Sequence, residues 1–255
     1  MKLATWNVNG IRARAEGVCA WLARHEPDVL CMQETKVVDT DFPFEALSRL
    51  GYGVAVAGER GYNGVAIASR HALSDVRIGL HGDGLDAERR LLLATVRGVR
   101  VASVYVPNGK SVELPSFVEK LRWLERLRLT LDVNHSPAEA LVLTGDFNVA
   151  RDDIDVFDPE ALRGKLHFHP DERRALGRVL DFGLVDAFRA VHPGLRRYSW
   201  WDYRSGDFGN DRGLRIDYVF VSSALVPRLG RAEIDLSARA APRPSDHAPV
   251  LVELA

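Results

Sequence analysis

Cysteine is scarce: the chain of 255 residues has two, Cys19 and Cys31. So few excludes a disulfide framework. Cys19 falls in a helix-like segment and Cys31 inside an apolar strand-like run. Both read as small buried hydrophobes of a protein kept in a reducing compartment. Long apolar runs are missing as well. None reaches the ~18–20 residues that a membrane span needs, and MKLATWNVNGIR at the N-terminus has no apolar signal core. The expectation is a soluble, cytoplasmic protein with no membrane partner. Charge of one sign is also lacking, since 34 basic residues face 35 acidic ones and the net charge is −1. That argues against nonspecific coating of nucleic acid but leaves room for a local basic face. No linker rich in Pro, Gly or Ser divides the chain. With 46% hydrophobic and 27% charged residues it can bury one large core, and residues 1–255 are read as one domain.

What is present is an alternation of short strand-like runs with helical patterns. LATWN (Leu3–Asn7) is followed by a helix carrying Val18, Trp21 and Leu22 at helical spacing. DVLCMQE (Asp28–Glu34) is the next strand. YGVAVAG and NGVAIAS read as a hairpin around Glu59–Asn63, and LLLATV and VASVYVP as two strands turning near Gly98. Pro115 to Val133, with Phe117, Leu121, Leu124 and Leu127, predicts an amphipathic helix with proline at its start. ALVLTGDFN is a strand, Glu172–Leu180 a helix, and IDYVFVS and PVLVELA late strands. Many strands with few helices between them predict a layered α/β protein with two packed sheets and helices outside.

Strand after strand ends on the same kind of polar residue: Asn7, Glu34, Tyr105 with Asn108, Asp146 with Asn148, Asp217, and Asp246 with His247. Strand ends in such sheets converge on one edge, where sites are built. GDFNVA (Gly145–Ala150) is the most telling ending. Residues i and i+2 of a strand share a face, so Asp146 and Asn148 would stand together while Phe147 points into packing. The carboxylate can take a proton from water or hold a metal, and the carboxamide can donate to a phosphate oxygen. An Asx-turn is the other reading of Asn148.

TWNVNGIR, QETK, VYVPNG, GDFNVA, SWWDYR, GLRIDYV and SDHAP occur in that order between Thr5 and Pro249. Together they resemble the signature blocks of the exonuclease III-type apurinic/apyrimidinic endonucleases, of the endonuclease/exonuclease/phosphatase superfamily. The resemblance implies a four-layer α/β sandwich, two packed mixed β-sheets flanked by helices. It implies a Mg²⁺-dependent phosphodiesterase that incises duplex DNA 5′ to abasic sites and also acts as 3′-5′ exonuclease and 3′-end trimming enzyme, with Mn²⁺ able to substitute. A monomer without an obligate protein partner, acting on double-stranded DNA with abasic sites or blocked 3′ ends, is expected.

Carried over residue by residue, the resemblance makes Glu34 the metal ligand, with Asn7 beside it and Asp146, Asn148, Asp246 and His247 around the same ion. Mg²⁺ takes oxygens from one or two carboxylates and keeps several waters. Asn9 stands where some relatives carry Asp, which removes a charge from the metal's neighbourhood. His247 matches the active-site histidine and Asp217 its carboxylate partner, which would fix the tautomer and support the imidazolium. Either Asp146 or His247 activates the water, and Asp246 either ligates the metal or braces Asn148. Tyr105 and Asn108 would contact phosphate. Trp200 would wall a pocket for an extrahelical sugar together with Leu214 and Ile216, while Trp201 belongs to the core. Some relatives have Trp where Leu214 stands, which implies a roomier pocket. Asn9, Arg12, Lys36 and Arg204, with the arginines of GLRRYSWW and RAAPRP, would contact the duplex. His167 and His169 read as a loop bordering the DNA groove, since no third ligand lies near them. A lipid or small-molecule phosphoesterase on the same scaffold is the alternative enzyme, but no exposed apolar loop supports it. A silent DNA-binding relative would not fill every polar position of the constellation.

Overall fold

The structure is a computed structural model, and it describes residues 1–83, 88–204 and 206–255. Two six-stranded sheets carry the molecule. The first is built from β1 (Lys2–Asn7), β2 (Val29–Gln33), β3 (Gly53–Ala57), β4 (Val65–Ser69), β11 (Leu229–Ile234) and β12 (Val250–Leu254), in the order β11-β12-β1-β2-β4-β3. The second contains β5 (Ser74–Ile78), β6 (Leu91–Val96), β7 (Val99–Tyr105), β8 (Leu141–Asp146), β9 (Leu184–Asp186) and β10 (Asp217–Ser222), in the order β5-β6-β7-β8-β10-β9. Each sheet has one parallel pair, β1 with β2 and β7 with β8, and is otherwise antiparallel. Each parallel pair needs a crossover, and a long helix supplies it: α1 (Ile11–His25) for the first and α3 (Pro115–Asn134) for the second. The shorter helices are α2 (Phe44–Ser48), α4 (Pro159–Leu162), α5 (Pro170–Leu180), α6 (Ala187–Val191) and α7 (Leu236–Arg239).

The continuous apolar runs follow from burial on both faces. Along β2, Val29 and Cys31 pack between the sheets, while Leu30 and Met32 pack under Val18, Trp21 and Leu22 of α1. Along β6, Leu92, Ala94 and Val96 face the inter-sheet core, and Leu91 and Leu93 meet Trp123, Leu124 and Leu127 of α3. The period of two thus sorts each strand between an inner and an outer core. The layers run helix, sheet, sheet, helix, as the signature blocks implied. One polar chain crosses the inner core. Thr5 Oγ1 donates to Gln33 Oε1 (3.1 Å), and Gln33 Nε2 donates to Ser103 Oγ (3.1 Å) on the opposite sheet.

The hairpin expected around Glu59–Asn63 joins β3 to β4. The turn near Gly98 joins β6 to β7 with Arg97 at φ 51° and Gly98 at φ 78°, the paired positive angles that suit a tight hairpin. Cys31 is buried as expected and Cys19 is half-buried. β5, β9 and β11 are additions to the strands legible in the sequence. β5 is exposed along its whole length, and β9 has only three residues.

Candidate active site

The polar residues noted at the strand ends meet at one edge of the sandwich. Asn7 closes β1, Glu34 follows β2, Tyr105 closes β7 and Asp146 closes β8. β10 runs antiparallel to β8, so it presents its first residue there, and Asp217 pairs in register with Asp146. His247 enters just ahead of β12, which runs antiparallel to β1. Close approach of the backbones fixes this edge. Gly145 has φ 148°, and a Cβ there would lie 1.9 Å from the Val104 carbonyl oxygen, so only glycine lets β8 deliver Asp146 beside Tyr105. Several non-glycine residues at this edge hold left-handed backbone: Asn9, Glu34, Lys36, Asn148 and His167. Such conformations persist where surrounding contacts over-determine them.

His247 is almost wholly buried, and its Nδ1 lies 2.8 Å from Asp217 Oδ2. Its Nε2 is 3.8 Å from Asp146 Oδ2. Burial alone would lower the imidazole pKa, but the Asp217 and Asp146 carboxylates reverse that and hold it well above its ordinary value. The charged form of His247 is therefore favoured, with Nδ1–H donating to Asp217 while Nε2, 3.8 Å from Asp146, makes no hydrogen bond to it. Asp217 is fixed in turn by Ser199 Oγ, which donates to Asp217 Oδ2 (2.6 Å) and accepts from the Asp217 backbone N–H (3.1 Å). Burial raises the Asp146 carboxyl, and neighbouring Asp217 and Glu34 add to the rise against the opposing pull of His247 and Asn7. Burial also pushes Glu34 upward, but Lys36 at 2.7 Å and the Asn7 amide outweigh it and hold Glu34 ionised.

Asn7 bridges the two acids, its Nδ2 donating to Glu34 Oε1 (2.8 Å) and to Asp146 Oδ2 (2.9 Å). Its amide oxygen accepts from the Asn9 backbone N–H at 2.9 Å. Asn7 thus braces the two carboxylates and turns its oxygen away from them. Asn9 links Asp246 Oδ1 (2.9 Å) to the Lys36 ammonium (2.5 Å). Asp246 also accepts from Trp200 Nε1 at 3.0 Å. The alternative that Asp246 braces Asn148 therefore gives way to a bond with the tryptophan.

Asp146 and Asn148 do stand together as expected, Asn148 Nδ2 donating to Asp146 Oδ2 at 3.4 Å, but a turn and not strand alternation puts them there. The strand stops at Asp146, and Asn148 has φ 53°. Asp146 itself makes the Asx-type turn, accepting the Asn148 N–H on Oδ1 at 2.8 Å while Oδ2 faces Asn7 and His247. Phe147 packs as expected, against Phe220 and Tyr218. Asn148 Oδ1 accepts from the exposed Asn108 side chain at 3.2 Å, so the two amides lie together. Tyr105 is buried under the Arg90 guanidinium, 4.9 Å from the ring centre. Burial and the Glu34 and Asp146 charges keep its phenol protonated.

A divalent cation suits this donor set. Oxygens of Glu34 and Asp146 and a ring nitrogen of His247 lie within 4.8 Å of one another. The two carboxylates are the hard oxygen donors that Mg²⁺ takes, and His247, expected around the same ion, lies beside them with its Nδ1 committed to Asp217. Among the described residues, Glu34, Asp146 and Asp217 are paired directly with Lys36 and His247, Asp246 is bonded to Asn9 and Trp200, and the nearby Lys120 is already neutralised by Glu172, so acidic side chains outnumber the cations that face them.

Trp200 is half-buried, bridged by backbone to both Leu214 and His247, and Trp201 is fully buried. Leu214 and Ile216 are 5% and 1% exposed, so they back the pocket instead of facing it. They pack with Ala150, Val156 and Phe168 behind Trp200. The ring that does share the wall is His167, 6.0 Å from Trp200 between centroids, with Nδ1 2.7 Å from the Asn148 carbonyl. His169 instead caps α5, its ring nitrogen accepting the Asp171 N–H. The arginines expected to contact the duplex differ in setting. Arg12 and Arg204 are exposed, each beside an acid, Asp41 at 3.7 Å and Asp202 at 3.9 Å. Arg239 is buried over the rings of Tyr203 and Phe208, Arg243 lies beside Glu16, and Arg196 donates to the Val156 carbonyl, so these arginines are partly or wholly structural. Ser199 was not assigned from sequence, and His167, read there as part of a loop bordering the DNA groove, was not placed beside Trp200. A serine is too common, and its partner Asp217 too distant along the chain, to stand out.

The comparisons agree with this geometry. The chain is 36% identical over 265 aligned residues to exodeoxyribonuclease III of Haemophilus influenzae, covering 99% of each chain. An AP endonuclease from Archaeoglobus fulgidus superposes with a TM-score of 0.96 at 40% identity, covering 100% of this chain and 99% of that one. A 3′ phosphatase from Neisseria, bound to product DNA hairpin, superposes with a TM-score of 0.96 at 42% identity and the same coverage. The matched family model spans residues 4–247, from the first strand to the imidazolium at the centre of the site, and the chain belongs to the Endonuclease/Exonuclease/phosphatase family.

Proposed function

We propose that this chain is a DNA repair phosphodiesterase that incises duplex DNA 5′ to abasic sites and also trims 3′ ends, as exonuclease and as 3′-phosphatase or phosphodiesterase. The observation that carries the reading is the buried Asp217–His247–Asp146 line at the open edge of the two sheets. Asp217 holds the imidazolium in one orientation, and its Nε2–H is free to donate to a non-bridging oxygen of the scissile phosphate. Asp146 takes the proton of the attacking water, since its Oδ2 lies at the open end of that line beside the imidazolium. The imidazolium cannot be that base. Glu34 and Asp146 would hold Mg²⁺, or Mn²⁺ in its place, which supplies Lewis-acid neutralisation of the phosphoryl charge. The Asn148 and Asn108 amides and the Tyr105 hydroxyl donate to phosphate oxygens beside it. Trp200 and His167 wall the place for a base-less sugar, which leaves the duplex at least cost because it neither stacks nor pairs. The chain acts as one catalytic unit and as a monomer in the cytoplasm, without an obligate protein partner. Among the described residues no helix is long and apolar enough to cross a membrane.

One gel tests the reading. A 5′-labelled duplex oligonucleotide with a single abasic site is incubated with Mg²⁺ or with EDTA. A discrete product at the lesion, with laddering from the 3′ end and no product in EDTA, is the expected outcome. An intact oligonucleotide in Mg²⁺ would overturn it.

A further inference from the structure

Lys120 lies on α3, outside the motifs that carry the chemistry, and neither it nor its partner Glu172 on α5 has any side-chain exposure. A buried ammonium is expensive unless every donor is used. Lys120 uses all three. It donates to the Glu172 carboxylate, to the Asn108 carbonyl (3.1 Å) and to the Asn148 carbonyl (2.7 Å). Those two carbonyls belong to the two residues whose side-chain amides meet at the site. The neutral His167 ring adds a second donor to the Asn148 carbonyl. Glu172 in turn accepts the His169 backbone N–H at 3.1 Å, tying the start of α5 to the same point. One cation therefore joins the loop after β7, the turn after β8 and the helix behind them.

On the proposed reading of the site, we infer that Lys120 is a positioning residue: it sets the spacing of the Asn108 and Asn148 amides that bind the phosphate, from behind and without touching substrate. Val106 already ties the two segments at their base, its N–H donating to the Asp146 carbonyl (2.9 Å) and its carbonyl accepting from Asn148 Nδ2 (3.0 Å), and the ammonium adds the one backbone tie among the described residues that reaches Asn108 itself. Glu172 neutralises the cation, which otherwise would lie close enough to Asp146 to oppose its role as base.

The test is a thermodynamic cycle on rates. Lys120→Met with Glu172→Gln removes both charges at similar volume, so no unpaired charge stays buried. Cleavage of the abasic duplex is measured for wild type, for this pair, for Asn108→Ala with Asn148→Ala, and for all four changes together. The expected result is a kcat about 10-fold lower for the Lys120 pair, a KM for DNA and a Mg²⁺ midpoint within about 2-fold of wild type, and less than about 2-fold further loss when the amides are already absent. Independent, multiplicative losses would overturn the inference, as would an unaffected kcat. Loss of the folded state in the Lys120 pair, read by circular dichroism at the assay temperature, also counts against it, because the pair would then be a stability element. Failure of wild type to cleave would overturn the proposed function instead.

Discussion

At the scale of single residues, the site separates two titratable groups by their surroundings. His247 is held charged by two carboxylates, whereas burial raises Asp146, and on the proposed function the first donates to the phosphate and the second accepts from water. Asp146→Asn and His247→Ala are each expected to lower turnover by at least ~10²-fold, the scale of a lost proton-transfer or charge-stabilising group. DNA affinity should survive, since phosphate contacts across the duplex supply most of it. Single-turnover rates with titrated binding check this, and near wild-type turnover in either variant would sink the assignment. His167 makes a different prediction. Burial and the Lys120 charge lower its pKa to about 3. The unfolded chain takes up a proton near pH ~6.5 that the folded chain refuses until about 3. The contribution is complete above pH ~6.5 and is lost as the pH falls, by at most about 1.4 kcal/mol per pH unit. Melting temperatures of wild type and His167→Gln should converge as pH drops from about 7 to about 4. A constant gap would show that the ring is not held neutral.

At the scale of elements, the strand ends do the positioning, and one glycine governs the meeting of β7 and β8. Gly145→Ala would force a methyl into the Val104 carbonyl at 1.9 Å, backbone against backbone. The cost should reach at least about 2–3 kcal/mol, the upper range for overpacking, or roughly 5–10 °C in melting temperature for a chain of this size. An unchanged melting curve would mean that β8 can slide. This element also shows what the sequence could and could not disclose. ALVLTGD announced a buried strand ending on an acid, because apolar runs closed by a polar residue are local. The turn that follows was misread, because the left-handed angle of Asn148 depends on Asp146 folding back to accept its N–H. Strands β1, β2, β7, β8, β10 and β12 were legible because both faces are buried. The exposed edge strand β5 carries no such signal. Of the site, the acids and His247 stood out in the motifs. Ser199 and Lys120 did not, since each acts through a partner that only the fold brings near.

At the scale of the whole molecule, negative charge gathers at one edge while the chain as a whole is nearly neutral. Removal of divalent ions with EDTA should abolish cleavage and added Mg²⁺ restore it. Glu34→Gln should raise the Mg²⁺ needed for half-maximal rate by roughly 10-fold, the effect of one weakened carboxylate ligand in this setting. Cleavage that persists in EDTA would remove the metal from the mechanism. The order of strands has one more consequence. β12 lies between β11 and β1, so one edge of the first strand waits for the last strand while β2 covers the other. His247 arrives on the same late segment. During synthesis, the ribosome releases Glu34 and Asp146 long before their imidazolium, and pairing between such distant segments is slow to form. On the proposed function, a nascent chain therefore lacks its phosphate donor until translation is almost finished. Ribosomes stalled with residues up to about 240 outside the tunnel should show no cleavage of abasic DNA, and release of the completed chain should start it.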